Sequence, residues 1–154
     1  MNIIVFSLDA VHKTWKKFLN KDILDELQSN YDLVGNARMP KDDEVLHFLS
    51  NDVRKVKVVI LGTYCNHKSK TITGRYLENK EVNNWIDCGT NIVLKRLVEA
   101  IHNIYMDKKA ENFEEVLESI NNKTFNIVSP GEWFNSMESQ GGIIFKYNIN
   151  TCPQ

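Results

Sequence analysis

Val56-Lys57-Val58-Val59-Ile60-Leu61-Gly62 is the stretch on which the reading of this chain turns. From Val58 to Leu61 the apolar residues follow one another without polar alternation, most of them are β-branched, and a glycine closes the run. That pattern predicts a strand buried on both faces, as in a parallel sheet covered by helices. In open sheets of that kind ligands sit beyond the carboxyl ends of the strands. The loop that opens at Gly62 is therefore the expected location of a site.

Upstream of this strand, Trp15, Phe18, Leu19, Ile23, Leu24 and Leu27 recur at steps of three and four. The spacing predicts amphipathic helix from about His12 to Gln28, one helix or two short ones broken near Asn20. Tyr31 to Pro40 reads as loop, on Gly35, Asn36 and Pro40. Asp42 or Asp43 is placed to cap a helix from Glu44 to about Asn51, with Val45, Leu46, Phe48 and Leu49 inward. Downstream, Lys68 to Asn84 reads as loop. Asn91 to Ile104 is a helix with Leu94, Leu97, Val98 and Ile101 on one face. A short acidic helix follows over Asn112 to Ile120. Pro130-Gly131 breaks the chain, Trp133 to Ser139 is helical, and Gly142-Ile143-Ile144-Phe145 is a second buried strand. Helices alternating with strands predict an α/β fold, a central parallel sheet covered by helices.

At 154 residues the chain fits one domain over 1–154, since two would each be short of core. A formal net charge of −1 gives nucleic-acid binding no support from bulk charge. Two local lysine clusters, Lys13/Lys16/Lys17 and Lys68/Lys70, read first as solvated surface. Three widely spaced cysteines make no disulfide framework and point to a reducing, intracellular setting, nucleus or cytoplasm. Cys65 and His67 supply too few ligands for zinc, so neither metal nor cofactor is expected. No apolar run approaches a membrane span, and Met1 to Leu8, followed by Asp9, reads as a first strand or helix start rather than a signal peptide. The sequon Asn122-Lys123-Thr124 carries no meaning without a secretory signal. Abundant Asn, Lys and Ile suit the codon usage of a viral or A/T-rich genome without bearing on chemistry.

The central strand also carries a resemblance. VKVVILG followed by Thr63-Tyr64-Cys65-Asn66-His67 resembles the VKVVILGQDPYH segment of the family 1 uracil-DNA glycosylases. Other elements are similar in the same order. Trp15 with Phe18-Leu19 resembles the N-terminal helix, Pro40 to Phe48 the "YPP…VFNAF" stretch, and Gly74 the glycine of "HGLxFS". Leu94-Lys95-Arg96-Leu97 resembles "LKNI", while Gly131, Gln140-Gly141 and Ile143-Ile144-Phe145 resemble "G-x-L…WAxQGVLLLN". The similarity runs from about residue 15 to 151, and its specific parts are the VKVVILG strand and the Gln-Gly-plus-strand element.

The resemblance implies a reaction in which uracil is flipped from the duplex and its glycosidic bond is cleaved. The transition state, a cationic sugar and an anionic base, needs one negative charge near the sugar and donors near the base. In the family an aspartate supplies that charge; Tyr64 stands there, a phenol that is neutral at neutral pH. The motif's proline is Cys65, and the tyrosine that screens out thymine is Asn66. His67 matches but cannot replace the acid. The stacking phenylalanine aligns with Leu77, and the asparagine that reads uracil's edge aligns with Lys146, a donor without an acceptor. Residues 62–77 contain no carboxylate, and Glu78 is the first one after the strand. The sequence ends at Gln154, before the family's His-Pro-Ser loop and last two strands, so those are expected to be missing.

These substitutions point to a protein that no longer excises uracil and has no catalytic residues. The expected role is a protein-interaction module, with a replication or repair protein, a glycosylase inhibitor (as a decoy), or a second copy bound through an exposed sheet edge as partner. Trp85, Trp133 and Phe134 are candidate anchors, although tryptophan is more often core. Weak DNA binding through His67, Lys68 and Lys70 is a further possibility, with steep salt dependence. The alternative is residual uracil-DNA glycosylase activity in base excision repair, with Lys146 or Tyr64 as the reacting group. No membrane partner is expected.

Overall fold

The structure, a computed structural model, describes residues 10–34, 44, 46–62 and 73–146. Among these residues the fold is mixed, with four α-helices and a small parallel sheet: α1 (Lys21–Val34), β1 (Val58–Gly62), α2 (Ile92–Met106), α3 (Phe113–Asn121), α4 (Pro130–Ser139) and β2 (Gly142–Lys146). β1 pairs with β2 in parallel, in the register Val58↔Gly142 through Gly62↔Lys146. Parallel pairing demands a long crossover, and here the chain between the strands carries α2, α3 and α4. The chain divides into two compact units, Met1–Asn79 with Met137–Gln154, and Lys80–Ser136. Among the described residues no helix is long and apolar enough to cross a membrane.

The first unit contains the sheet. Three of its aromatic residues share one cluster: Phe48 stacks on Phe145 with centroids 4.3 Å apart, and Trp15 meets Phe48 edge-on at 5.7 Å. Trp15 Nε1 donates to the Asn51 carbonyl at 2.7 Å, so the indole is both packed and satisfied. The helical signal over His12 to Gln28 resolves into a short 3-10 turn, Lys13–Trp15, and then α1. Asn20 is the break: its side chain accepts from the Ile23 N–H at 3.0 Å, as a helix-capping residue does. α1 runs on to Val34, into the stretch that reads as loop from Tyr31. The helix expected from Glu44 to Asn51 is only a 3-10 turn, His47–Ser50, because Leu46 takes a left-handed conformation (φ 60°). The Asp42 and Asp43 caps and the Met1–Leu8 element lie outside the described residues. Before β2 the chain turns on Gly141, whose φ of +96° favours glycine. A Cβ there would collide with the Lys55 carbonyl, and Lys57 N–H donates to the Gly141 carbonyl at 2.8 Å.

β1 departs from the expectation of a strand buried on both faces. Val58, Val59 and Leu61 are 56%, 50% and 58% exposed, while Ile143 and Ile144 of β2 are buried. Val58 and Val59 point to opposite sides, since successive residues alternate across a strand. The apolar run thus reports strand propensity correctly and burial incorrectly.

The second unit is helical. Leu94, Val98 and His102 of α2 are buried at four-residue steps, and α3 buries Phe113 and Val116. Asn91 and Asn112 cap α2 and α3 by accepting from the Leu94 and Glu115 N–H groups at 3.0 Å each. His102 is a core residue: Nε2 lies 3.1 Å from Ser119 Oγ, and the ring meets Phe125 edge-on at 5.1 Å. Pro130 and Gly131 do not break the chain as expected but start α4. Proline suits the first helical position, and the Glu132 side chain reaches back to Ser129, accepting from its N–H (3.3 Å) and Oγ (2.7 Å) as in one half of a capping box. Trp85 and Phe134, candidate surface anchors from the sequence, are core residues, and Trp133 is half-buried between them. Trp85 Nε1 is satisfied by the Val128 carbonyl at 2.9 Å. Burial pushes the Cys88 thiol up to about 11, which makes it an inert core sulfur.

Candidate functional site at the strand ends

The last pair of the sheet, Gly62↔Lys146, puts the carboxyl ends of both strands level. The backbone of Lys146 is thus at the end of the sheet from which the loop after Gly62 departs. Tyr64, Cys65, Asn66, His67, Lys68 and Lys70 lie outside the described residues. Leu77 is described. It sits at φ +73° within the turn Thr73–Asn79, an uncommon conformation for leucine that the surrounding turn must hold in place.

That turn is bound tightly to the rest of the first unit. A Cβ on Gly62 would collide with Cγ, Cδ1 and Cδ2 of Tyr76, so the Tyr76 ring lies directly on the Gly62 backbone. A Cβ on Gly74 would collide with the Glu44 carbonyl and with Cβ of His47. Glycine at both positions is therefore a packing requirement.

Charged side chains then lock the turn. Arg75 Nη1 donates to Glu78 Oε1 at 3.0 Å, and Arg75 Nη2 to Glu138 Oε2 at 2.6 Å. The three side chains are only 14%, 13% and 11% exposed. Thr73 Oγ1 donates to Glu78 Oε2 at 2.6 Å and accepts from the Arg75 N–H at 3.1 Å. His47 Nε2 stands 3.5 Å from Glu138 Oε2, at the outer limit of a hydrogen bond, so Arg75 is the stronger of the two partners. Burial pushes the Glu138 carboxyl up, but the His47 and Arg75 contacts outweigh it and hold the group at about 2.

The pH consequence follows from the sign of that shift. A carboxyl whose pKa is lower folded than unfolded adds stability above its ordinary value of 4.5, and that stability disappears as pH falls through about 2. Melting temperature should therefore drop between pH 5 and pH 2. In Glu138→Gln it should be lower at pH 7 and fall less over the same acid range. Parallel acid slopes in the two proteins would show that Glu138 is not the titrating group.

Chemically the carboxylates of the site are already engaged. Glu78, the first carboxylate after the strand, is held by Arg75 and Thr73 and is not positioned as a general base. Among the described residues no three His, Cys, Asp or Glu side chains group as metal ligands. Sequence reasoning found Gly74, Leu77 and Glu78 in this turn but missed Tyr76, Arg75, Glu138 and His47 as its structural partners. Arg75 and Glu78 at i, i+3 were legible, whereas Glu138 lies 63 residues away and has no local signal.

No family model matches this sequence, and no curated protein and no solved structure matches it.

Proposed function

We propose that this chain is a catalytically inactive, uracil-DNA glycosylase-like domain, a central parallel sheet covered by helices, that acts as a protein-interaction module. Its partner on this reading is a replication or repair protein, a glycosylase inhibitor for which it is a decoy, or a second copy. The observation that carries the reading is the half-exposed apolar surface of β1, Val58, Val59 and Leu61. Isolated exposed apolar residues are ordinary, but Val59 and Leu61, two positions apart and therefore on one face of the strand, form a patch suited to a partner. The closed strand end supports the inactive part of the reading: the nearby carboxylates Glu78 and Glu138 are both engaged by Arg75.

One observation favours the alternative of residual excision. The parallel register holds the backbone of Lys146 level with Gly62, and the resemblance gives this position to the asparagine that reads uracil's edge. A lysine amine can act as a nucleophile when burial depresses its pKa.

The interaction surface is tested by Val59→Lys and Leu61→Lys. Residues that face solvent tolerate substitution within about 0.5 kcal/mol. Both variants should keep the wild-type melting temperature. If the partner is a second copy, sedimentation velocity should show wild-type dimer and monomeric variants at micromolar concentration. A loss of several kcal/mol in a monomeric protein would show that β1 is an internal face, and the interaction reading would fail.

A further inference from the structure

Open α/β sheets take their ligands beyond the carboxyl ends of the strands. Here the chain itself covers the last residue of β1, on one face of the sheet: the face of the Tyr76 ring lies on the backbone of Gly62. The ring does not rest there casually. Its neighbour Arg75 is tied to Glu138 of α4 at 2.6 Å and to Glu78 at 3.0 Å. The residue before them, Gly74, is packed against the Glu44 carbonyl and His47. On its other side Leu77 is held at φ +73°. Every residue from Thr73 to Glu78 thus has a specific tether or fit, and the common result is the placement of one aromatic ring.

We propose that the turn Thr73–Asn79 is a built-in stopper: Tyr76 occupies the strand-end position as an internal ligand, Arg75 and Glu138 latch it there, and the vacated position accepts a planar six-membered ring from solution. The physical basis is shape. Gly62 leaves a flat backbone floor that no other residue would leave, and a flat ring is what now covers it. Removing the Tyr76 side chain exposes that floor and creates a cavity of the ring's own form. Such cavities bind the detached group, as engineered apolar cavities do. The proposal stands on this contact alone and does not depend on the glycosylase reading.

The test uses p-cresol, the free counterpart of the tyrosine side chain, and the full chain. Tyr76→Gly should be less stable than wild type. Millimolar p-cresol should raise its melting temperature by several degrees in a saturable way, and leave the wild type unchanged. A folded Tyr76→Gly protein that gains nothing, or a wild type that gains as much, overturns the proposal. If Tyr76→Gly does not fold, Arg75→Gln decides. Tetranitromethane nitrates accessible tyrosines, and Tyr105 is an exposed internal standard. Nitration of Tyr76 relative to Tyr105 should rise several-fold when the latch is cut. An unchanged ratio shows that Arg75 does not hold the ring in place.

Discussion

Phe134→Ala lowers the unfolding free energy by about 3–5 kcal/mol, the usual cost of removing a buried phenylalanine. Phe134 is 1% exposed and is the largest of the fully buried side chains. Its ring meets Trp133 edge-on with centroids 5.0 Å apart, and Trp133 in turn meets Trp85 at 6.1 Å. Truncation removes the transfer energy of the ring and leaves a cavity that helix α4, started by its proline and capping box, is poorly able to close. Phe134→Leu keeps most of the volume and should cost less than about 1.5 kcal/mol. Urea denaturation followed by far-UV circular dichroism measures both. Had Phe134 been a surface anchor, Phe134→Ala would fall within about 0.5 kcal/mol of wild type.

Arg75→Ala is the second large effect, at about 2–4 kcal/mol, near the range for breaking a buried ion pair by removing one partner. The loss is not chiefly that of two attractive contacts. It leaves Glu78 and Glu138, 13% and 11% exposed, without their shared cation in a poorly solvated place. Arg75→Met together with Glu78→Gln and Glu138→Gln removes the charge along with the partner, so it should cost less than Arg75→Ala alone. A triple variant that is less stable than Arg75→Ala would mean that the ionic contacts themselves, rather than the uncompensated charges, set the energy. Chemical denaturation at constant pH and ionic strength gives the comparison.

The sequence made some of this fold legible for physical reasons. Val58 to Leu61 and Gly142 to Phe145 are dense in β-branched residues, and both became strands. Of the apolar face expected on α2, Leu94 and Val98 are buried, Leu97 and Ile101 are half-buried, and His102 joins the buried stripe. The break near Asn20 and the helix starts at Asn91 and Asn112 are where the sequence puts them, and the structure adds that these asparagines cap, their short amides reaching the helix N–H groups. Other elements were opaque from sequence. An apolar run cannot report whether its neighbours cover it, so β1 was read as buried and is half-exposed. Glu44 to Asn51 has helical composition, but its tight packing on Gly74 and the left-handed Leu46 leave only one short turn. Pro130-Gly131 reads as a break because the capping role of Ser129 depends on Glu132, the residue just after the pair.

The site was less legible than the fold. Leu77 was singled out through a resemblance, and its neighbour Tyr76 turned out to be the residue that covers the strand end. Nothing in the sequence links Tyr76 to Gly62 or Arg75 to Glu138, because those contacts arise only when the chain closes on itself. The absence of a carboxylate from residues 62–77 was legible directly, and the structure adds that Glu78 is already engaged.

The most direct test of the proposed function is single-turnover uracil excision from a single-stranded oligonucleotide, with protein in excess and an active uracil-DNA glycosylase as control. A single strand removes the cost of flipping the base, which gives a weak enzyme its best chance. The reading of an inactive domain predicts no cleavage above buffer. Cleavage that is lost in Lys146→Ala or Tyr64→Phe would contradict it and would assign the chemistry to that side chain.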